Sequence, residues 1–477
     1  MKLLSKHNDY NNKLFALLTG LQLIFIVSGV LLNSLWWLVV LPVVGMVAVS
    51  VIRVQGLYLV LAFVLPFSME KTLSFGLSTD FPSESIMWLL TLIFPFYVTL
   101  HINQEYFKRL NHPVSLLLLA TFLWLLPATF ASSNILLSAK FTLAKIWYLI
   151  VFFYFFLWVF KSQKSIRQFY KLLLISLSLI IGVVIFRQFQ DGFLFTEVNR
   201  AVFPFFRNHV SYAIMLGALL PYVWYMGNTS QHRWLWVILG IIFVIAIYFS
   251  YTRAAMIAVL CGLLSYWIFR LQGVKWMIGL ISIIAITGAT YLSVNNKYLD
   301  FAPDFDRTIT HHQFDQLIQA TYKLEDISTM ERVYRWLAGI QMIRERPIFG
   351  FGPNTFYSSY QEYASNTFRT YVSNNPDQSG IHNYYLMLGA EQGFIGMILF
   401  IVMILYFFVT GQKVWKNSRT KPEKNLIMAA LISQVIICLA LLMNDLIETD
   451  KIGSLFYLNF AVLVIHSVKN KDFPVNP

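Results

Sequence analysis

Apolar stretches of about 17 to 25 residues, the length that crosses the hydrocarbon of a bilayer as a helix, recur along almost the whole chain. Of its 477 residues, 57% are hydrophobic and 12% are charged, whereas soluble domains carry about 25% charged residues. The pattern therefore predicts an all-α, polytopic membrane protein with about 12 to 14 transmembrane helices.

The apolar stretches define the predicted organisation of the chain. A shorter stretch at 56–68 contains Pro66 and is predicted to be re-entrant or tilted. No small-residue cleavage site follows the first stretch, which is therefore predicted to be a retained span. One long polar loop gives four predicted regions, 1–199, 200–292, 293–381 and 382–477. The predicted spans lie near 14–32, 35–52, 86–102, 114–130, 139–160, 170–189, 209–226, 233–250, 253–269, 274–292, 383–410, 425–443 and 452–468.

The charges of the connecting segments predict the orientation. With 14 spans both termini lie on one side, and the segments on that side hold 20 Lys and Arg against four acids. The remaining segments hold 16 bases and 19 acids. Short cytoplasmic loops collect Lys and Arg, so both termini are predicted to be cytoplasmic and the long loop is predicted to face the outside, that is, the periplasm or cell surface.

Several functional classes are excluded or disfavoured. The net charge of +13 follows the cytoplasmic loops instead of forming one basic surface, so no nucleic acid partner is expected. Cys261 and Cys438 fall in predicted helices, which disfavours a disulfide framework. His311 and His312 are adjacent and lack a ligand spacing, so no metal is expected. The chain has no P-loop or dinucleotide motif, and no cofactor is expected.

The long loop contains one predicted helix and a carbohydrate-like composition. Apolar residues recur at helical intervals over 328–345, Pro347 ends that pattern, and 350–354 form a cluster of turn residues. Residues 356–381 are rich in Tyr, Ser and Asn, which suits hydrogen bonding to sugars but is also common in surface loops.

His382 lies where this loop ends and the next span begins. The unperturbed pKa of histidine is near neutrality, so His382 is a candidate general base that takes a proton from a hydroxyl. Glu391 lies near the outer end of the same span, where it either orients a base, pairs with an arginine or makes a helix-packing contact.

Four basic residues are predicted at the outer face. Arg253 lies in a tight connection between two spans, where it either reaches the headgroups or binds a phosphate bidentately. Arg200 and Arg207 lie in the preceding outer loop and are candidates to converge with it on a diphosphate. Lys145 lies about one helical turn inside its span, where it needs a structural partner or a wet cavity.

At these positions the chain resembles the O-antigen ligase and O-antigen polymerase superfamily. The resemblance covers roughly 200–400 and rests on four motifs in a fixed order. Thr252 stands where the family usually has Ser, and Arg207 where it often has a small residue. The four motifs are Arg200 through Pro221; Thr252-Arg253-Ala254-Ala255; Arg332 through Trp336 with Arg346 through Phe356; and His382 through Leu386 with Glu391-Gln392-Gly393 and Gly396.

The resemblance implies a metal-independent, inverting glycosyltransferase of the GT-C type. Its donor is a glycan on undecaprenyl diphosphate at the outer leaflet of the bacterial inner membrane, bound by Arg253 and by one or both of Arg200 and Arg207. Lys145 lies outside the matched motifs and is a further candidate for binding the diphosphate. His382 is the implied base, and Asn383, Glu391 and Arg332 are implied supporting residues.

The sequence leaves the acceptor open. The family name favours lipid A core, as in a ligase, ahead of a second lipid-linked glycan, as in a polymerase, and a protein hydroxyl. A secondary transporter or flippase is the rival from another class. It would be expected to show internal repeats and polar residues near the bilayer midplane, whereas here the polar residues concentrate on one face.

Overall fold

The computed structural model describes residues 54–72, 78–101, 103–295, 327–364 and 380–472. The predicted spans 14–32 and 35–52 lie outside these residues, as do His311, His312 and much of the long polar loop. The described part of the chain is almost entirely helical, which confirms the predicted all-α class.

The helices follow the predicted spans closely. In chain order they are α1 (Val54–Val64), α2 (Ser83–His101), α3 (Gln104–Leu110), α4 (Pro113–Phe130), α5 (Ile135–Val159, π-helical over Ile150–Phe155), α6 (Gln163–Gln190), α7 (Val198–Val202), α8 (His209–Thr229), α9 (Arg233–Tyr248), α10 (Arg253–Arg270), α11 (Val274–Ser293), α12 (Ile327–Glu345), α13 (Phe356–Ser359), α14 (Tyr384–Asn417), α15 (Lys421–Ala440) and α16 (Asp450–Asp472).

Ten of these helices are long and apolar enough to cross a membrane, judged over the described residues alone. They are α2, α4, α5, α6, α8, α10, α11, α14, α15 and α16. Helices α1 and α9 are apolar but shorter. This result confirms a polytopic membrane protein.

A small hairpin, which the sequence analysis did not predict, follows α1. The helix ends at Val64, two residues before Pro66, because proline cannot continue a helical hydrogen-bond pattern. Strands β1 (Met69–Thr72) and β2 (Ser78–Phe81) then pair antiparallel. The stretch predicted at 56–68 is therefore a short helix that leads into a hairpin.

Helices α8, α15 and α16 form the centre of the bundle, and α11 lies at its edge. Close packing replaces the hydrophobic effect between helices in lipid, so small residues favour helix contact. A β-carbon on Gly262 of α10 would lie 2.4 Å from Ile436 of α15. A β-carbon on Gly217 of α8 would lie 2.7 Å from Val259 of α10. Glycine at both positions lets α10 approach its neighbours.

Helix α12 confirms the amphipathic helix predicted at 328–345. It ends at Glu345, just before Pro347, and packs against α14. Buried Ala338, Met342 and Ile343 form its inner face. The described part of the long polar loop is therefore attached to the membrane helix that follows His382.

Candidate functional site

The long polar loop is attached to the bundle at a break in α14, at Gly393. Gly393 has φ +72°, and a β-carbon there would lie 1.9 Å from the Ile348 carbonyl oxygen. Such a conformation is readily adopted only by glycine. The break frees backbone groups of α14, so Phe394 N donates to Pro347 O (2.8 Å) and Phe351 N donates to Ala390 O (2.9 Å).

The carboxylate of Glu391 completes this attachment. It is only 2% exposed and accepts hydrogen bonds from Asn354 N (2.8 Å) and Phe356 N (3.0 Å). Gly352 N also donates to the Glu391 carbonyl oxygen (2.9 Å). Glu391 therefore binds the backbone of the turn cluster, and the third and fourth sequence motifs lie against one another.

His382 lies directly before α14, in a left-handed backbone conformation with φ +57°. Asn383 caps the helix, because its side chain accepts from Leu386 N at 3.0 Å. Nδ1 of His382 is buried and has no hydrogen-bond partner among the described residues. Burial, followed by the charges of Arg332 and Arg335, lowers the pKa of His382 to about 3. The imidazole is therefore neutral near pH 7.

Asp445, which the sequence analysis did not single out, joins His382 to the first motif. A β-carbon on Gly380 would lie 2.2 Å from Asp445 Oδ2, and Arg335 donates to the Gly380 carbonyl oxygen at 3.2 Å. Burial raises the pKa of the Asp445 carboxyl, whereas the charges of Arg335 and Arg207 act in the opposite direction. Asp445 is thus a partly buried carboxyl near both arginines.

Among the residues predicted to bind the glycan donor, Arg207 is the one that lies near this cluster. Its side chain is exposed, and no hydrogen bond or ion pair joins it to the described residues. It is close enough to Asp445 to affect the pKa of that carboxyl. Arg207 is therefore an exposed cation near Asp445.

Arg200 and Arg253 have different surroundings. Arg200 is 69% exposed and forms ion pairs with Asp191 (2.5 Å) and Glu197 (3.1 Å), so a diphosphate would have to replace those carboxylates. Arg253 is half-buried at the start of α10. The preceding Thr252 donates to the carbonyl oxygen of His209 at 3.5 Å. The first and second motifs are therefore neighbours.

Lys145 has a structural partner. Its ammonium group lies 2.7 Å from Glu448, and the lysine side chain is 13% exposed. The hydroxyl of Tyr384 also donates to Glu448, at 2.7 Å. Lys145 thus connects α5 to the Leu446–Glu448 turn and to the start of α14. A direct contact with the donor stays a prediction.

A cavity of about 310 Å³ lies beside Arg207, which is within the range of small ligand sites. Its wall comes from the hairpin, from the 203–207 segment with three phenylalanines, and from the connection between α15 and α16. Glu70 and Asp80 face each other directly across the hairpin, where a charge on both side chains at once would be unfavourable. Burial and nearby Asp450 raise the pKa of Asp80 to about 8.

The sequence contained an indication of the acidic residues that the sequence analysis did not select. Asp445, Glu448 and Asp450 lie within six residues in the short connection between two apolar stretches. Carboxylates need polar partners when they become buried. Their partners come from distant segments, so the sequence indicates that they matter but does not indicate to what they bind.

The family comparison agrees with this arrangement. The family model described as O-antigen ligase matches residues 238–401, which include Arg253, Arg332, His382 and Glu391. No curated protein matches the chain. The family match confirms the resemblance to the O-antigen ligase and polymerase superfamily and indicates a glycosyltransferase-like enzyme of the inner membrane.

Proposed function

Because residues 238–401 match the O-antigen ligase family, we propose that the protein transfers a glycan from undecaprenyl diphosphate to an acceptor hydroxyl at the outer face of the inner membrane. The observation that carries this proposal is the cluster of His382, Arg332, Arg335, Asp445 and Arg207 at one end of the bundle. The cluster combines a neutral imidazole, which can accept a proton, with arginines, which can bind a diphosphate. The proposed reaction requires both.

In the proposed reaction, the acceptor hydroxyl attacks the anomeric carbon and its proton moves to the imidazole of His382. The bond between that carbon and the diphosphate oxygen breaks, and the configuration inverts. Arg207 and Arg253 stabilise the negative charge that develops on the departing diphosphate, since preorganised cations act most strongly where charge appears. The activated donor supplies the energy, so the reaction needs neither nucleotide nor metal.

The proposed reaction assigns the cavity beside Arg207 to a sugar. Carboxyl groups exchange hydrogen bonds with hydroxyls, and the rings of Phe203 and Phe205 supply apolar surface. Acidic residues of the lining, which include Glu70, Glu84 and Asp450, disfavour a diphosphate, so the lipid phosphates are expected outside the cavity, at Arg207. This division separates recognition of the sugar from stabilisation of the leaving group.

Lipid A core is the proposed acceptor, as in a ligase. Polymerase activity on a second lipid-linked glycan is the next candidate, followed by transfer to a protein hydroxyl. Transport without chemistry is the alternative outside this class. A transporter would be expected to carry charged residues near the bilayer midplane. Among the described residues, the cluster of arginines and carboxylates lies instead at one end of the bundle.

The decisive experiment incubates the purified protein with undecaprenyl-diphosphate oligosaccharide, alone and with lipid A core, and resolves the products by mass. A product formed only with lipid A core supports the ligase, whereas a ladder of repeats without it supports the polymerase. The variant His382→Ala should form neither product. Glycan transfer by that variant at the wild-type rate would contradict the proposed base.

A further inference from the structure

A second cavity, of about 410 Å³, lies at the opposite end of the bundle from His382. Four basic residues line it, and the described residues that form its wall include no carboxylate. The nearby carboxylate of Glu423 is already engaged by Lys469. The four bases are Arg270 at the end of α10, Arg419 between α14 and α15, and Lys421 and Lys424 in the first turn of α15.

This basic cavity adjoins an apolar groove. Trp224 of α8 and Tyr266 of α10 line both the basic cavity and the groove, which encloses about 760 Å³. Apart from Arg233 and Asn228 near its end, the groove is formed by apolar and aromatic side chains of α8, α9, α10 and α15. Because two aromatic residues are shared, one elongated ligand can occupy both spaces.

We propose that this composite site, the four-base cavity with its apolar groove, binds one anionic phospholipid. The phosphate lies among the four bases and an acyl chain lies in the groove. Basic cavities between membrane helices are suited to anionic headgroups. The amphipathic rings of Trp224 and Tyr266 lie where the polar and apolar parts of such a lipid meet. A free phosphate would leave the groove unused.

Loop charge alone does not account for this arrangement. A topological signal requires bases in the loops but does not require them to line one cavity. Lys424 also lies 5.7 Å from the centre of the Trp415 ring, within the range of a cation–π contact. The bound lipid would connect α10 to α15, and α10 begins at Arg253 on the opposite face. The site is independent of the reaction proposed above.

Native mass spectrometry of the full-length protein, titrated with phosphatidylglycerol or phosphatidylcholine, tests this site. We expect one phosphatidylglycerol to bind more tightly than phosphatidylcholine. The double variant Arg270→Gln/Lys424→Gln should bind it roughly 30-fold more weakly, since each base near an anionic lipid contributes an affinity factor of about five. The matched control is Lys161→Gln/Lys164→Gln, which removes the same charge from another loop on the same side.

A third variant tests the groove. A β-carbon on Gly240 would lie 3.8 Å from Val223, so Gly240→Leu extends into the groove without a backbone clash. It should weaken binding of phosphatidylglycerol but leave binding of glycerol phosphate unchanged. The proposal is overturned if both double variants lose the lipid equally, because binding is then diffuse surface attraction. It is also overturned if glycerol phosphate displaces the lipid at similar concentration or if Gly240→Leu has no effect.

Discussion

At the scale of single residues, the unusual feature of His382 is its low pKa. The ring is buried beside two arginines, so its pKa falls to about 3 and Nδ1 is left without a partner among the described residues. A base of such low pKa accepts a proton poorly. The negative charge of a diphosphate bound at Arg207 would partly offset the charges of Arg332 and Arg335 and raise the pKa of His382. Donor binding would thereby activate the base.

This coupling predicts two different pH profiles. A base must be deprotonated, so activity falls as pH falls through its pKa. For the free enzyme, kcat/KM should therefore show no loss attributable to His382 between about pH 5 and 8, whereas kcat should fall at a higher pH because the bound donor raises that pKa. Steady-state rates across this range provide the measurement. A kcat/KM that falls with a pKa near 6.5 would show that the imidazole is not perturbed.

The substitution His382→Ala should lower kcat by about 10² to 10⁴-fold, the usual contribution of a general base. Binding of the donor should change little, because the diphosphate is assigned to the arginines. Single-turnover rates and donor titrations measure the two effects separately. The matched control is His232→Ala, in an exposed loop at the opposite end of the bundle. Equal loss of activity in both variants would indicate a general effect on folding.

The arginines should differ from one another. Arg207→Lys and Arg253→Lys keep the charge but lose bidentate geometry, so each should raise the donor KM by roughly tenfold. Arg200→Lys should have a smaller effect, because Arg200 is already paired with Asp191 and Glu197. Arg167→Lys on α6 controls for the substitution itself. If Arg200→Lys had the largest effect, the structural preference for Arg207 would be wrong.

At the scale of elements, the attachment of the 347–356 segment depends on the break at Gly393. Gly393→Ala places a β-carbon on the Ile348 carbonyl oxygen and at a positive φ, so it should destabilise the protein by roughly 2 kcal/mol or more. We expect a lower midpoint of thermal unfolding and faster proteolysis near Pro347. Gly288→Ala in α11 is the control, because nothing lies within 4 Å of its β-carbon. An unchanged midpoint for Gly393→Ala would contradict the attachment.

The sequence predicted elements better than it predicted their interruptions. Hydrophobic length located the spans, and the spacing of Trp336, Ile340 and Ile343 located α12. The apolar pattern runs without change through Gly393, so the break in α14 was not predicted. It exists because backbone groups of another segment bind there. Strands of four residues, such as those of the hairpin, are too short to give a periodic signal.

At the scale of the whole molecule, convergence of the site was the part that sequence could not supply. His382 and Glu391 are close to one another along the chain, whereas Asp445 comes from a distant segment and lies beside Gly380. Arg207 reaches the same cluster from a third segment. Long-range packing decides such contacts, and a single sequence records which residues are unusual but not which ones meet.

The predicted orientation of the whole molecule in the membrane decides from which side the glycan donor must approach. The cavity beside Arg207 and the four-base cavity lie at opposite ends of the bundle. This arrangement agrees with basic loops on the cytoplasmic side. In a Cys261→Ser/Cys438→Ser background, Glu362→Cys should react with a membrane-impermeant maleimide in spheroplasts, whereas Gln231→Cys should react only after lysis. Both positions are exposed, so accessibility differs by side alone. The reverse pattern would place the site in the cytoplasm, where the lipid-linked donor would have to be used before it is flipped.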